Sequence, residues 1–226
     1  MDRFTSTSWT MVTGAAAGSE PARDAFAQRY EPLVRSYLAA RWRLGRENEE
    51  VRDAAQDVFV ECFKAGGALE RVERDRPGGF RAYLYGVISN VAAMIERGET
   101  RRRRREGGPS IEAERLPAND ATLSQVFDRA WTQMVAREAR LALAERRRED
   151  AAMAERFHCL ELRYTEGLPP RVIAERLGLP IETVYERLKR ARQDYRDALF
   201  AILADYDPRA TKAELEERCR QLVSSL

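Results

Sequence analysis

Residues 169–192 read PPRVIAERLGLPIETVYERLKRAR. Ala174, Gly178 and Val184 stand at spacings of four and six, the pattern of a helix-turn-helix. A small residue in the first helix lets the second cross closely, a glycine makes the turn, and a β-branched residue seals the contact. Val172, Ile173, Leu177, Val184, Leu188 and Ala191 would form the small core. Pro180 fits at the start of the second helix, where its missing N–H does no harm. With Val184 and Leu188 inward, the outward face presents Glu182, Thr183, Glu186, Arg187 and Arg190, flanked by Lys189 and Arg192. Such a helix lays its first outward side chains in the major groove, where arginine can bind guanine through two hydrogen bonds. Lys189, Arg192 and Arg196 suit phosphates. A solvated helical hairpin would carry the same charges; the joint spacing favours DNA.

Working outward, nearly every periodic segment has helical spacing, and an all-α fold is expected. Helices are predicted over 22–44, with Pro32 as a kink or a second start, over 49–64, and from Phe80 to about Gly98. Residues 65–79, with Gly66, Gly67, Pro77, Gly78 and Gly79, read as a loop. Helix resumes near Ala121 and runs, in one or two pieces, to about Tyr164. Segments 169–177 and 181–200 follow, then an amphipathic stretch at 211–224 beyond Asp207-Pro208.

The charge balance narrows the function. The 226 residues carry 39 basic and 37 acidic side chains, a net charge of +2. Removing the five consecutive arginines, Arg101 to Arg105, leaves 34 basic against 37 acidic. Positive charge is therefore concentrated locally. Cys62, Cys159 and Cys219 are odd in number and widely spaced, which argues against a disulfide framework or a zinc site. His158, the single histidine, is read as a packing residue. With one histidine and no phosphate-binding glycine loop, no enzyme, cofactor or metal is expected. No secretion signal and no membrane span are read, so a cytoplasmic protein is expected.

Two N-terminal segments carry further candidates. On 49–64, Val51, Ala54, Ala55, Val58, Phe59, Cys62 and Phe63 share an apolar face. Opposite lie Asp53, Gln56, Asp57 and Val60; by pattern alone this is an ordinary solvated face with one stray valine, although an apolar residue among acidic and amide neighbours also suits a docking patch for a basic partner. On 80–98, small residues Ala82, Gly86, Ser89 and Ala93, beside Asn90 and Arg97, leave room for a neighbouring helix or a nucleic-acid strand.

The module LRYTEGLPPRVIAERLGLPIETVYERLKRARQDYRDAL (162–199) resembles that of the extracytoplasmic-function (ECF) sigma factors of bacterial RNA polymerase. DAAQDVFVECF (53–63) resembles the sigma segment that docks on the clamp coiled coil of the polymerase largest subunit. FRAYLYGVISNVAAMIERG (80–98) resembles the segment that captures unpaired bases of the −10 element. The family often has a basic residue at the position of Gly86 and a more basic neighbour than Ser89. The segment FDRAWTQMVAREARLALAERRREDAAMAERF and the opening TSTSWTMV resemble a divergent branch seen in planctomycete-like bacteria.

The resemblance implies a domain order of N-terminal extension 1–21, region 2-like bundle 22–100, flexible basic linker 101–120, region 4-like helix-turn-helix 121–200 and C-terminal extension 201–226. It further implies promoter recognition, with Glu182, Thr183, Glu186, Arg187, Lys189, Arg190 and Arg192 at the −35 duplex. Ser89, Asn90 and Arg97 would serve the melted −10 strand, and Asp53, Gln56, Asp57 and Val60 would bind polymerase. The implied partners are core RNA polymerase, through its clamp and flap, promoter DNA and, for many relatives, an anti-sigma factor. No membrane is implied. Arg101, Arg102, Arg103, Arg104 and Arg105 would then form a clamp on phosphates that reads no sequence. A stand-alone helix-turn-helix regulator is the alternative.

Overall fold

The computed structural model describes residues 8–105 and 119–224. Every regular element among them is a helix: α1 (Ser8–Ala16), α2 (Glu20–Trp42), α3 (Glu49–Phe63), α4 (Gly79–Arg105), α5 (Asp120–Arg146), α6 (Ala151–Tyr164), α7 (Pro170–Leu177), α8 (Ile181–Tyr206) and α9 (Lys212–Ser224). The chain forms two compact units. The first takes in Ser6–Met134 together with Asp205–Arg209; the second holds Val135–Ala204 and the chain from Ala210 onward. Of the linker expected over 101–120, residues 106–118 lie outside the described residues, while 101–105 belong to α4.

In the first unit, α2 buries Phe26, Tyr30, Leu33, Val34, Tyr37 and Leu38, the stripe its sequence predicts. Pro32 stands inside one continuous helix. Asn48 caps α3 by accepting from the Glu50 N–H, 2.9 Å away, which satisfies one of the free donors at a helix start. On α3, Val51, Ala54, Ala55, Val58 and Cys62 are buried, while Phe59 and Phe63 are half-buried. Burial pushes the Cys62 thiol up to about 12, so it is a packing group and no nucleophile.

The remaining walls of this core come from segments the sequence assigns elsewhere. From α1, Trp9, Met11, Val12 and Ala15 are buried. The first half of α5 sends in Leu123, Phe127 and Trp131, one helical turn apart. Phe127 meets Tyr85 edge-on at 5.1 Å. Asp205–Arg209 completes the cluster: Tyr206 stacks on Phe80 at 6.4 Å, meets Trp131 at 4.8 Å and shares a hydrogen bond with the Tyr30 hydroxyl. Trp9 Nε1 donates to the Asp205 carbonyl at 2.9 Å, and Arg209 pairs with Asp75 at 3.0 Å. Gly79, at φ +63°, makes this approach possible. A Cβ there would lie 2.6 Å from the Tyr206 carbonyl oxygen, closer than atoms pack.

An ion pair ties α2 to α4. Arg41 Nε and Nη2 donate to the two Glu96 oxygens at 2.7 and 3.0 Å, and Trp42 Nε1 adds a third bond at 2.8 Å. Burial alone would raise the Glu96 carboxyl, but the bonds from Arg41 and Trp42 outweigh it and hold it below the usual range.

Two segments differ from the sequence reading. Helix α4 continues past Gly98 through Arg105, because arginine is a good helix former and one exposed glycine is tolerated. His158 is exposed, and its neighbour Cys159 is the buried residue; the apolar stripe of α6 falls one position later.

Two outcomes follow. Glu96→Ala should cost about 2 kcal/mol in chemical denaturation, a value discounted for its partial exposure, because Arg41 and the Trp42 N–H lose their acceptor. Since the folded carboxyl titrates below its unfolded value, this stabilisation is present above about pH 4.5 and fades as pH falls through the lowered value. Tyr206→Ala should destabilise the first unit by about 3 kcal/mol. Trp9, Trp42 and Trp131 all lie in that unit, so tryptophan fluorescence reads its unfolding selectively.

Candidate nucleic-acid interface

In the second unit, α7 ends at Gly178, whose φ of 64° lets its N–H reach back to the carbonyls of Ala174 and Glu175. This left-handed cap turns the chain within three residues into α8. Ile173, Ala174, Val184 and Leu188 are buried together with Cys159 and Leu162 of α6. The helix-turn-helix thus rests on a third helix. Val172, expected in this core, is 39% exposed: on so short a helix the adjacent Ile173 takes the inward place.

Helix α6 is well anchored. Asp150 caps it by accepting from the Met153 N–H, and Arg156 reaches α8 through a largely buried pair with Asp194 at 2.8 Å. Farther along α8, the Tyr195 hydroxyl donates to the Ala136 carbonyl of α5.

The outward face of α8 is open. Glu182, Glu186, Lys189, Arg190 and Arg192 are exposed, while Thr183 and Arg187 are half-buried. Two of the expected readers are engaged within the protein. Arg190 Nε donates to Glu186 at 2.8 Å, and Arg187 Nη2 donates to Glu155 of α6 at 2.6 Å. Arg187 and Glu155 border a cavity of about 450 Å³ that Thr183 and Arg190 also line. The Cys159 thiol is raised by burial, an effect Arg187 partly opposes. Sequence reasoning passed over Tyr185, which stands 54% exposed on the same helix, and Glu155, whose role shows only when α6 and α8 are seen together.

In the first unit, Asp53, Gln56, Asp57 and Val60 are all exposed along one stripe of α3, with Val60 62% open. On α4, Asn90 and Arg97 are exposed and Ser89 is half-buried. A Cβ added to Gly86 would meet nothing within 4 Å among the described residues, so helix packing leaves space at this point. Arg97 and Arg101, one turn apart, border one shallow cavity with Ala93 and Thr100. Arg101, Arg102 and Arg105 are exposed; the side chains of Arg103 and Arg104 lie outside those described. The preceding loop is pinned, since the Tyr83 hydroxyl donates to the Ala68 carbonyl and Arg76 covers the Tyr83 ring at 4.6 Å.

A helix-turn-helix with an open cationic face, in a chain whose described elements are all helical, defines a DNA-binding protein of the transcription class. Residues 154–194, from α6 through most of α8, match the family model described as sigma-70, region 4. Over 207 residues the chain is 25% identical to the ECF RNA polymerase sigma factor SigE of Mycolicibacterium smegmatis, an alignment covering 88% of this chain and 74% of that one. The chain thus carries a module similar to sigma-70 region 4, and its likeness to an ECF sigma factor extends over most of its length. No helix among the described residues is long and apolar enough to cross a membrane.

Proposed function

We propose that the protein acts as the promoter-specificity subunit of a bacterial RNA polymerase, a binding role with no catalytic step of its own. The observation that carries this is the extent of the SigE likeness: 207 aligned residues reach far beyond the 154–194 match, into both units. A regulator sharing only the helix-turn-helix would align over that module alone.

The exposed faces then divide the work. Asp53, Gln56, Asp57 and Val60 on α3 present an acidic stripe with one apolar contact point to the clamp of the largest subunit. The second unit faces the flap and, with Glu182, Thr183, Glu186, Arg187, Lys189, Arg190 and Arg192, the −35 duplex; Tyr185 joins them. Arginine is suited to guanine edges, and the outer cations to phosphates. Ser89, Asn90 and Arg97, with the open space at Gly86, accept the melted −10 strand. Arg101 to Arg105 extend that strand's path as a phosphate clamp. An anti-sigma partner would compete for the same faces. Working with polymerase places the chain in the cytoplasm.

Alone, the chain should bind promoter duplex weakly, and with core polymerase tightly; tight binding without core would point to a stand-alone regulator. Against this background, Arg187→Ala should cost about 1–3 kcal/mol and relax choice at one −35 base pair. Asp57→Ala with Val60→Ala should weaken polymerase binding equally on every promoter. Loss of activity in the same sequence-dependent way for both variants would refute the division. Replacing Arg101 to Arg105 by glutamine should lower promoter affinity and flatten its dependence on salt without changing promoter choice. An unchanged salt slope would make the run a plain helix end.

A further inference from the structure

We propose that Glu155 is a positioning residue for promoter reading: from α6 it orients the Arg187 guanidinium of α8 toward a base edge and away from phosphates. This rests on the reading of α8 as the recognition helix.

The pair differs from its neighbours. Arg190–Glu186 is an ordinary i,i+4 pair with both side chains more than half exposed. Arg187–Glu155 instead joins two helices at 2.6 Å, and the Arg187 side chain is only 23% exposed while Glu155 is 58% exposed. Docking of α6 on α8 does not need it. Arg156–Asp194 already joins the two helices at 2.8 Å, and Cys159 and Leu162 pack with Val184 and Leu188. So exposed a carboxylate adds little to stability. Its effect falls on Arg187.

That effect has two parts. A guanidinium carries five N–H donors in a fixed plane. One hydrogen bond from Nη2 to Glu155 holds that plane and leaves donors for a two-point contact with guanine. The adjacent negative charge also cancels much of the attraction between Arg187 and phosphates, which acts without regard to sequence. Glu155 thereby converts a generally attractive cation into a selective one.

The test uses holoenzyme assembled from the full chain and core polymerase, on a promoter library randomised at −35, with salt titrations. Glu155→Gln should reduce discrimination about fivefold at the base pair that Arg187→Ala relaxes, and steepen the salt dependence by up to about one phosphate contact. Glu149→Gln, which removes an equal charge from an exposed site just before α6, should leave that base pair's discrimination intact. In the double variant Glu155→Gln with Arg187→Ala, the two losses should not add. A uniform shift across all −35 sequences from Glu155→Gln, matching that of Glu149→Gln, or full additivity in the double variant, would overturn the proposal. If Arg187→Ala itself changed no −35 preference, the recognition-helix reading would fall, and this inference with it.

Discussion

The close crossing of α7 and α8 is the contact on which the reading surface depends. Ala174 offers no more than a methyl group at the crossing, Gly178 supplies the left-handed turn, and Val184 fills the space between. A larger residue at 174 would push α8 outward. Because side chains recur every 3.6 residues, fixing Val184 and Leu188 inward fixes which residues look outward. The exposure of Glu186, Lys189 and Arg190 is thus a geometrical result of burying their neighbours. The turn also leaves the first residues of α8 unobstructed, as a helix meeting DNA by its N-terminal end requires.

The first unit solves a different problem. The faces of α3 and α4 proposed for binding lie open, and the unit's stability comes from the opposite sides. An aromatic cluster does this, with Phe26, Tyr30, Phe80, Trp131 and Tyr206 in mutual contact through edge-on, tilted and stacked rings. Aromatic pairs of this kind add to what area burial supplies. The Arg41–Glu96–Trp42 knot fixes α4 against α2 one residue before Arg97. A candidate strand contact therefore stands on a rigid base.

Much of this was legible in the sequence, and the reasons differ by element. Helix 49–64 could be bounded to within a residue because its apolar stripe is regular and the glycine-bearing loop from 65 ends it. The helix-turn-helix was legible because three small or branched residues at fixed spacing leave few alternatives. Helix α1 was not, since Trp9 and Val12 become core residues only against partners far along the chain. The arginine run has the charge density of a linker, yet the helix propensity of arginine carries α4 through it. Val172 and Ile173 are adjacent and alike, and nothing local decides which faces inward. The pairing of Arg187 with Glu155 is 32 residues long in sequence and has no periodic signature at all.

The seat of Tyr206 against Gly79 reaches into the chain's own biosynthesis. Translation delivers roughly 5–20 residues each second, and the ribosome must make the second unit as far as Ala204 before Tyr206 emerges. Until then the aromatic core of the first unit has an open side, and the half that carries the α3 stripe is unfinished. The first unit is thereby completed only after most of the second has been made.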